Sequence, residues 1–256
     1  MKVNLGAITT KGKALFLAYD QGLEHGPSKD FNDLNVDPEY ILDIAKKGKF
    51  NAVVFQKGIA EKYHSDIVRS GVPLLLKLNG KTNLYKGEAF AEQLCSVKEA
   101  VKLSAKAVGY TIYLGSKHEA EMMKTFEQIE MEAHAVGLPV VLWAYARGSG
   151  VKDDSSREIM AYAARVGLEL GADIVKIKYG GKADDVSWAA KAAGRTKVVI
   201  AGGMKTSESD FLKSVGDVMK TGATGIAVGR NVWQAKDPIA LAKKLRKIVF
   251  ASHQKD

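Results

Sequence analysis

The sequence predicts an α/β fold in which eight β/α units close into a (β/α)8 TIM barrel. The chain has 256 residues, close to the roughly 250 that are typical of such a barrel. Short, nearly continuous apolar segments alternate with longer amphipathic ones, which is the pattern of buried parallel strands joined by helices. No low-complexity linker interrupts the alternation, so we expect one domain across residues 1–256.

Eight apolar segments are the strand candidates. In chain order they are Ala14–Ala18, Ala52–Phe55, Pro73–Leu78, Ala107–Ile112, Pro139–Trp143, Asp173–Lys178, Lys197–Ala201 and Thr224–Val228. Parallel strands joined by right-handed helical crossovers form a continuous sheet, and eight such units favour closure into a barrel. The alternative is an open doubly wound sheet, but no Gly-x-Gly-x-x-Gly follows the first candidate to indicate a dinucleotide site.

Three connecting segments carry helix-boundary signals. A helix is predicted over Pro38–Lys47, with Asp37 as its N-cap and proline at the first helical position. Further helices are predicted over Ser155–Leu170 and Ser207–Thr221, because each segment is followed at once by a glycine that suits a helix C-cap.

Composition restricts the classes of protein. No apolar segment reaches the ~18 residues of a membrane helix, and the N-terminus lacks a signal-peptide pattern, so we expect a cytoplasmic protein without a membrane partner. The single cysteine, Cys95, is interpreted as a packed thiol rather than a nucleophile, since no histidine lies near it in a motif. No metal or other cofactor is expected, because no metal-ligand spacing relates the five histidines His25, His64, His118, His134 and His253.

The net charge of +9 allows two kinds of partner. A non-enzymatic nucleic-acid binder is the main alternative class, and it predicts salt-sensitive binding. The lysines are scattered, however, and aromatic residues are not interleaved with them as a base-stacking surface requires. An anionic small molecule in a basic cleft explains the charge at least as well, so we expect no nucleic-acid partner.

Two lysines interrupt the sixth strand candidate. Side chains of a strand alternate, so Lys176 and Lys178 share a face, and a lysine in a buried strand is costly unless it is paired, neutral or functional. A neutral lysine amine attacks ketones and forms an imine, and both burial and a neighbouring cation favour the neutral form. Lys178 is the candidate cation beside Lys176; the alternative is that both lysines face the helices or form ion pairs.

Further polar residues follow the first and fifth strand candidates, where a barrel places its functional side chains. Trp143, Tyr145 and Arg147 share a face if the strand continues, and Tyr145 is the candidate proton shuttle. Its alternative role is a rim tyrosine that packs a lid. Asp20 is a candidate to orient a hydroxyl or to act on Lys176, and the alternative is a helix cap or turn.

Glycine pairs follow the last two strand candidates, where barrels usually bind phosphate. Gly202 and Gly203 allow backbone N–H groups to approach an anion closely, and Gly229 with Arg230 adds a turn and a cation. Taken alone, such pairs are more often plain turns. His25 and Arg147 are candidates for a second anion or for sugar hydroxyls.

Six segments of the chain resemble the archaeal-type class I fructose-1,6-bisphosphate aldolases. They are LAYDQGLEHGP (17–27), FQKGIAEKY (55–63), LKLNGKTNLY (76–85), VKIKYGG (175–181), AGGMKT (201–206) and GIAVGRNVWQ (225–234). The resemblance runs from about Lys13 to about Val249. It implies a reversible, metal-independent cleavage of fructose 1,6-bisphosphate to glycerone phosphate and glyceraldehyde 3-phosphate, as in glycolysis and gluconeogenesis, by a homo-oligomer.

The resemblance also implies site residues. The imine lysine of the family matches Lys176, its acid/base tyrosine Tyr145, and its aspartate after the first strand Asp20. The candidate substrate and phosphate contacts are Gln21, His25, Trp143, Arg147, Lys178, Ala201, Gly202, Gly203, Gly229 and Arg230.

The chain departs from the family pattern at four positions. Ala146 stands where proline is common, Gln21 where histidine is common, and Ala201 and Met204 where serine and proline are common. Phosphate contacts near Ala201 are therefore expected from the backbone. Two other activities stay open: a related imine-forming enzyme that makes an aminated deoxyheptulosonate, and a phosphate-binding barrel isomerase that uses a carboxylate base and forms no covalent adduct.

Overall fold

The computed structural model describes residues 3–26, 31–203 and 205–251 and shows a closed barrel of eight parallel strands. Each strand pairs with its neighbours in the chain, and the first strand closes the ring by pairing with the eighth, with Ala14 opposite Gly225 and Leu17 opposite Val228. The predicted (β/α)8 barrel is confirmed, and the open sheet is excluded. Residues 27–30, Met204 and His253 lie outside the described residues.

All eight predicted strands are present. Their bounds are β1 Ala14–Ala18, β2 Ala52–Gln56, β3 Leu74–Lys77, β4 Ala107–Tyr113, β5 Val140–Tyr145, β6 Ile174–Ile177, β7 Lys197–Ala201 and β8 Gly225–Val228. The fifth strand runs two residues beyond its predicted end, so Tyr145 belongs to the strand. The sixth ends one residue before Lys178, which therefore lies in the loop that follows.

Helices connect the strands on the outside of the barrel. Their bounds are α1 Gln21–His25, α2 Pro38–Lys47, α3 Lys57–Lys62, α4 His64–Ser70, α5 Val97–Lys102, α6 Glu119–Ala135, α7 Arg157–Glu169, α8 Ala183–Ala192, α9 Glu208–Met219, α10 Arg230–Trp233 and α11 Pro238–Val249. A 3-10 turn, Leu5–Ala7, precedes β1. Within the described ranges, no helix is long and apolar enough to cross a membrane.

The helix-boundary signals are used as the sequence predicts. The Asp37 side chain accepts the N–H of Glu39 at 2.9 Å at the start of α2. Ser156 and Ser207 cap α7 and α9 in the same way. The glycine after each of these two helices takes a positive φ, 79° at Gly171 and 91° at Gly222, a conformation that other residues adopt at a cost.

Two apolar clusters stabilise the fold. The larger lies between the strands and the surrounding helices, and the smaller fills the barrel interior. Members of the smaller cluster are Ile8, Ala14, Phe16, Ala52, Val54, Leu75, Ala107, Val141, Trp143, Ile174, Val199 and Ala227. Ile8 belongs to the segment before β1, and Leu5 packs against the same cluster, so this segment closes the amino-terminal end of the barrel.

Cys95 is buried beside α5, with 2% of its surface exposed. Burial, assisted by the nearby Glu99 carboxylate, raises the pKa of its thiol to about 11. The thiolate is the reactive form of cysteine, so these surroundings favour the interpretation of Cys95 as a packed thiol.

Candidate active site

The predicted site residues converge on one cavity at the carboxyl ends of the strands. Its volume is about 230 Å³. Its lining includes all of the candidates: Asp20, Gln21, His25, Trp143, Tyr145, Arg147, Lys176, Lys178, Ala201, Gly202, Gly203, Gly229 and Arg230. The structure therefore brings together residues from five strands and their following loops, although each residue's role stays a prediction.

Lys176 extends from β6 into this cavity and is 6% exposed. Its Nζ lies 5.0 Å from the ring centroid of Trp143 and 6.0 Å from that of Tyr145. Both rings belong to the adjacent strand β5, where Trp143 pairs in register with Lys176. The alternative in which this lysine faces the outer helices is excluded.

Lys178 lies in the loop after β6 and forms an ion pair with Asp154. About half of its side chain, 46%, is exposed. Lys178 lines the cavity, but its charge is already compensated by a carboxylate, which weakens the expectation that it supplies the neighbouring cation for Lys176.

Lys77, on β3, is a second buried lysine in the cavity, with 5% of its surface exposed. Its Nζ lies 5.3 Å from the ring centroid of Trp143, so the two lysine nitrogens share one indole. Burial lowers the pKa of Lys77 to about 8, and the charge of Lys176 acts in the same direction, while Asp20 and Glu24 oppose the shift. Lys77 is therefore the cation that the structure places beside Lys176.

The position of Lys77 is fixed by Asn79. The Asn79 side chain is fully buried; its amide donates to the carbonyls of Ala91 and Thr111 at 2.9 and 2.8 Å, and its oxygen accepts the Thr111 N–H at 2.8 Å. The Asn79 carbonyl in turn accepts from Lys77 Nζ and from Gln56 Nε2, each at 3.2 Å. This asparagine joins the ends of β3 and β4 and holds the lysine in place.

The indole of Trp143 fits into the barrel because it packs against a glycine of β4, Gly109. A Cβ on Gly109 would lie 2.2 Å from Cζ3 of Trp143, far inside van der Waals contact. Trp143 is 1% exposed and separates the apolar lower interior from the two lysines. Gly109 is thus a requirement of the site, although it does not line the cavity.

Tyr145 ends β5 and lies close to both a lysine and an arginine. The Arg147 guanidinium carbon lies 4.9 Å from the Tyr145 ring centroid, and Lys176 Nζ lies 6.0 Å from it. Arg147 Nη1 donates to Glu24 Oε1 at 2.7 Å. Although burial lowers it, the pKa of Arg147 is raised overall, because Glu24 and the two tyrosines Tyr113 and Tyr145 favour its charged form.

Asp20 immediately precedes α1 and lines the cavity. Its side chain makes no capping hydrogen bond to the helix, so the alternative of a helix cap is not supported. The carboxylate is close enough to Lys77 to oppose the lowering of that lysine's pKa by burial. Asp20 is therefore placed to interact with the pair of buried amines.

The glycine turns after β7 and β8 lie next to each other. The Gly202 N–H donates to the Ala227 carbonyl at 2.9 Å, so Gly202 offers space to an anion and not a free donor, contrary to our expectation. Gly203 has a φ of 69°. Asn231 connects the two turns, because its amide donates to the Gly202 carbonyl at 2.9 Å and its oxygen accepts the Thr206 N–H at 3.1 Å.

His25 ends α1 at the cavity wall. Its Nδ1 lies 3.4 Å from Asn83 Nδ2, and Lys81 Nζ donates to Asn83 Oδ1 at 3.0 Å. The segment after β3 is thereby tied to the segment after β1. His25 and Lys81 stand at the same side of the cavity as Arg147.

Seven polar residues of the cavity wall were absent from the predicted set. They are Glu24, Gln56, Lys77, Lys81, Thr111, Tyr113 and Asp154. Lys77 shows the same pattern as Lys176, a lysine at the end of an apolar strand candidate. The sequence alone could therefore have identified it. Asp154 lies in an irregular loop, and nothing in its local sequence indicates the site.

Metal ligands are not grouped in the described ranges: residues 3–26, 31–203 and 205–251 contain no cluster of three or more His, Cys, Asp or Glu side chains that could hold an ion. The chemistry of the cavity is instead that of two buried amines, a phenol, a carboxylate and several cations at the rim. That set suits a carbonyl compound that carries anionic groups.

Comparison with known proteins agrees with this geometry. Residues 14–235 match the model of the DeoC/LacD family of aldolases. The chain belongs to that family. The matched residues include the buried strand-end lysine, Lys176.

Three relatives define its position in the family. The class 1 fructose-bisphosphate aldolase of Thermoproteus tenax is 52% identical over 94% of this chain and 90% of its own length. The fructose-bisphosphate aldolase/6-deoxy-5-ketofructose 1-phosphate synthase of Methanocaldococcus jannaschii is 35% identical over 94% of this chain and 81% of its own length. A solved archaeal fructose-1,6-bisphosphate aldolase, whose catalytic lysine is covalently bound to the carbinolamine intermediate, superposes with a TM-score of 0.91 at 50% identity, covering 97% of this chain and 98% of that one.

Proposed function

We propose that the protein is a class I aldolase that reversibly cleaves fructose 1,6-bisphosphate to glycerone phosphate and glyceraldehyde 3-phosphate through an imine on Lys176. The observation that carries this proposal is the position of Lys176, buried at the carboxyl end of β6 between Trp143 and Tyr145. The identity to fructose-bisphosphate aldolases over nearly the whole chain supports the choice of substrate.

The reaction begins when the neutral amine of Lys176 attacks the C2 carbonyl carbon of the substrate. The Tyr145 phenol protonates the hydroxyl of the resulting carbinolamine, and loss of water leaves a protonated imine and a Tyr145 phenolate. The protonated imine withdraws electrons from the neighbouring carbons. The Tyr145 oxygen takes the proton of the C4 hydroxyl while the C3–C4 bond breaks, and the aldehyde product leaves. The bonding electrons pass into an enamine, which takes a proton at C3, and hydrolysis then releases glycerone phosphate and the free lysine.

Neighbouring groups support these steps. Lys77 approaches the same indole as Lys176, and burial lowers the pKa of Lys77 itself. Asp20 is placed to orient a substrate hydroxyl or to balance the positive imine. Trp143 keeps water from the lower face of both amines, and its ring stabilises a cation above it.

The phosphate groups would occupy opposite sides of the cavity. Strand β6 lies between β5 and β7 in the barrel, so Lys176 stands between the loop of Arg147 and the turn of Gly203. The phosphate next to the reacting carbonyl fits the turns after β7 and β8, where Gly203, Gly229 and Arg230 line the cavity. The distal phosphate then points toward Arg147, His25 and Lys81.

The test is reduction with borohydride in the presence of fructose 1,6-bisphosphate, followed by intact mass measurement and peptide mapping. We expect a stable adduct on Lys176 that is lost in Lys176→Ala. Because two buried lysines share one indole, the mapping must separate Lys176 from Lys77. An adduct on Lys77 would overturn the assignment of the nucleophile.

Controls distinguish the other activities. Lys178→Ala, which removes the half-exposed lysine of the loop after β6, is expected to keep the adduct on Lys176. A barrel isomerase forms no adduct with any ketose phosphate, and that result would remove the aldolase proposal. An adduct without cleavage of fructose 1,6-bisphosphate would favour the related imine-forming synthase.

We also propose that the protein acts in the cytoplasm, in glycolysis or gluconeogenesis, as a homo-oligomer without a nucleic-acid partner. This rests on the resemblance to archaeal fructose-bisphosphate aldolases and on the absence of any membrane-spanning helix among the described residues. Light scattering of the purified chain gives the oligomeric state, and a monomer at working concentrations would contradict that part of the proposal.

A further inference from the structure

At the mouth of the cavity, Arg147 forms an ion pair with Glu24, a residue that has no part in the steps above. Arg147 Nη1 donates to Glu24 Oε1 at 2.7 Å, and the side chains are 43% and 22% exposed. Both residues line the inner cavity of about 230 Å³ and also an adjoining outer cavity of about 600 Å³. The pair therefore lies at the passage between the two.

The surroundings of the pair show that it is held in one geometry. The guanidinium also contacts the Tyr145 ring, 4.9 Å from its centroid. Glu24 is fixed in turn, because it lies in the short helix α1 and its carbonyl accepts the N–H of Asn83 at 2.9 Å. The Glu24 carboxylate thus accepts from an Arg147 N–H group that could otherwise bind the anion of a substrate.

Arg147 is one tyrosine ring away from Lys176, on the β5 side of the cavity. In the proposed substrate the distal phosphate lies four carbons beyond the carbon that forms the imine, so it extends toward this side. Arginine binds phosphate through the same planar N–H groups that bind carboxylate. A phosphate and Glu24 therefore compete for one cation.

We propose that Glu24 is a specificity-determining residue that competes with the distal phosphate for Arg147 and so weakens the hold on the phosphorylated aldehyde. This rests on the proposed function, and it adds a role for a carboxylate in a site that binds anions. Competition lowers the affinity for the bisphosphate and speeds release of glyceraldehyde 3-phosphate. A ketose with only the proximal phosphate leaves the pair intact.

The experiment compares fructose 1,6-bisphosphate with fructose 1-phosphate, which lacks only the distal phosphate. In Glu24→Gln, the ratio of kcat/KM for the bisphosphate to kcat/KM for the monophosphate is expected to rise about three- to five-fold, mainly through a lower KM, as the loss of a partly exposed ion pair allows. In Arg147→Gln, the same ratio is expected to fall about ten-fold or more, since a charge-assisted contact is lost.

The double variant Glu24→Gln/Arg147→Gln tests whether Glu24 acts through Arg147. We expect it to match Arg147→Gln, because the carboxylate has nothing left to compete for. Glu169→Gln is the matched control: it breaks the Arg165–Glu169 ion pair on the exposed face of α7 and is expected to leave the ratio unchanged.

Two results would overturn the proposal. An unchanged or lower ratio in Glu24→Gln, with melting temperature retained, would mean that Glu24 orients Arg147 rather than competing with the phosphate. An equal change for both ketoses would mean that Glu24 acts on Tyr145 or on the fold. If the parent enzyme forms no imine and cleaves neither ketose, the proposed function fails first, which the borohydride measurement detects separately.

Discussion

The two ends of the barrel interior follow different rules. At the amino-terminal end, inward side chains such as Val54, Leu75 and Ile174 pack together without solvent. At the carboxyl end, the next inward positions of the same strands carry Gln56, Lys77 and Lys176, which line an open cavity. The lower end therefore stabilises the fold, and the upper end carries groups that the fold must hold in place.

Polar groups at the two ends differ in the same way. At the lower end, Asp173 accepts both the Val140 N–H at 2.8 Å and His134 Nε2 at 2.9 Å, and His134 Nδ1 lies 2.7 Å from Glu130. These groups partner one another. At the upper end, Lys77 contacts one carbonyl and is otherwise surrounded by a ring and by cavity, and burial depresses its pKa. The buried Lys77 therefore lowers the stability of the fold at the end of the barrel that carries the cavity.

The largest expected effect is a loss of activity without a loss of stability, caused by a substitution at the upper end. Tyr145→Phe removes the proposed proton shuttle and keeps the ring that Arg147 and Lys176 contact. We expect kcat for fructose 1,6-bisphosphate to fall by about 10²–10⁴ with little change in melting temperature. Steady-state kinetics and circular dichroism melts measure the two quantities. A large fall in melting temperature together with the fall in kcat would mean that the upper end also stabilises the fold, contrary to the difference between the two ends.

The complementary change is made at the lower end. Phe16→Ala deletes a ring that is 1% exposed in the barrel interior, and it is expected to lower the free energy of unfolding by about 3–5 kcal/mol. Urea titration measures this. Leu84→Ala, at a position that is 88% exposed, serves as control and is expected to stay within about 0.5 kcal/mol of the parent. A loss for Phe16→Ala as small as the control's would mean that the lower interior is not tightly packed.

The difference between the ends also explains how far sequence reasoning reached. The strands were found because inner and outer faces are both dry, so each strand appears as an uninterrupted apolar segment. Lys176 was found because a charge in such a segment is conspicuous. Lys77 carried the same signal at the end of the third strand candidate but received no predicted role.

The remaining site residues depend on tertiary distances that no local pattern records. Glu24 is recognised only by its contact with Arg147, 123 positions later in the chain. In the sequence Gly109 resembles any other strand glycine, and only the structure shows that the Trp143 indole packs against it. The Gly202 N–H reads as an anion donor until its bond to Ala227 is seen. Local sequence predicts which groups are present at the rim, and the barrel's closure decides which of them meet.

A third prediction concerns the cost of the buried lysine. The pKa of Lys77 is about 8 in the folded protein and near 10.4 in the unfolded chain. Below pH 8 both states carry the proton, and the folded state bears the full penalty of a buried charge. Between pH 8 and about 10.4 the folded state releases the proton first, so stability rises with pH relative to a variant without this group.

Lys77→Met is therefore expected to be more stable than the parent at pH 7, by about 3 kcal/mol at most, and to lose this advantage as the pH approaches 10.4. Denaturant titrations at pH 7 and pH 10 give the difference, with activity measured alongside. We expect stability to rise while kcat/KM falls. An advantage that grows with pH would show that the lysine is charged and satisfied in the folded state.

The smallest predicted effect tests whether the two ends are coupled through Trp143. Gly109→Ala places a Cβ 2.2 Å from the indole, and this overpacking is expected to lower the free energy of unfolding by about 1–3 kcal/mol. Because the indole contacts Lys77 and Lys176, kcat is expected to fall as well. Gly216→Ala, in α9 with no atom within 4 Å of the added Cβ, is the control and should gain about 0.5–1 kcal/mol. If Gly109→Ala destabilises the protein but leaves imine formation on Lys176 intact, the lower interior supports the fold without positioning the amines, and the two ends are independent.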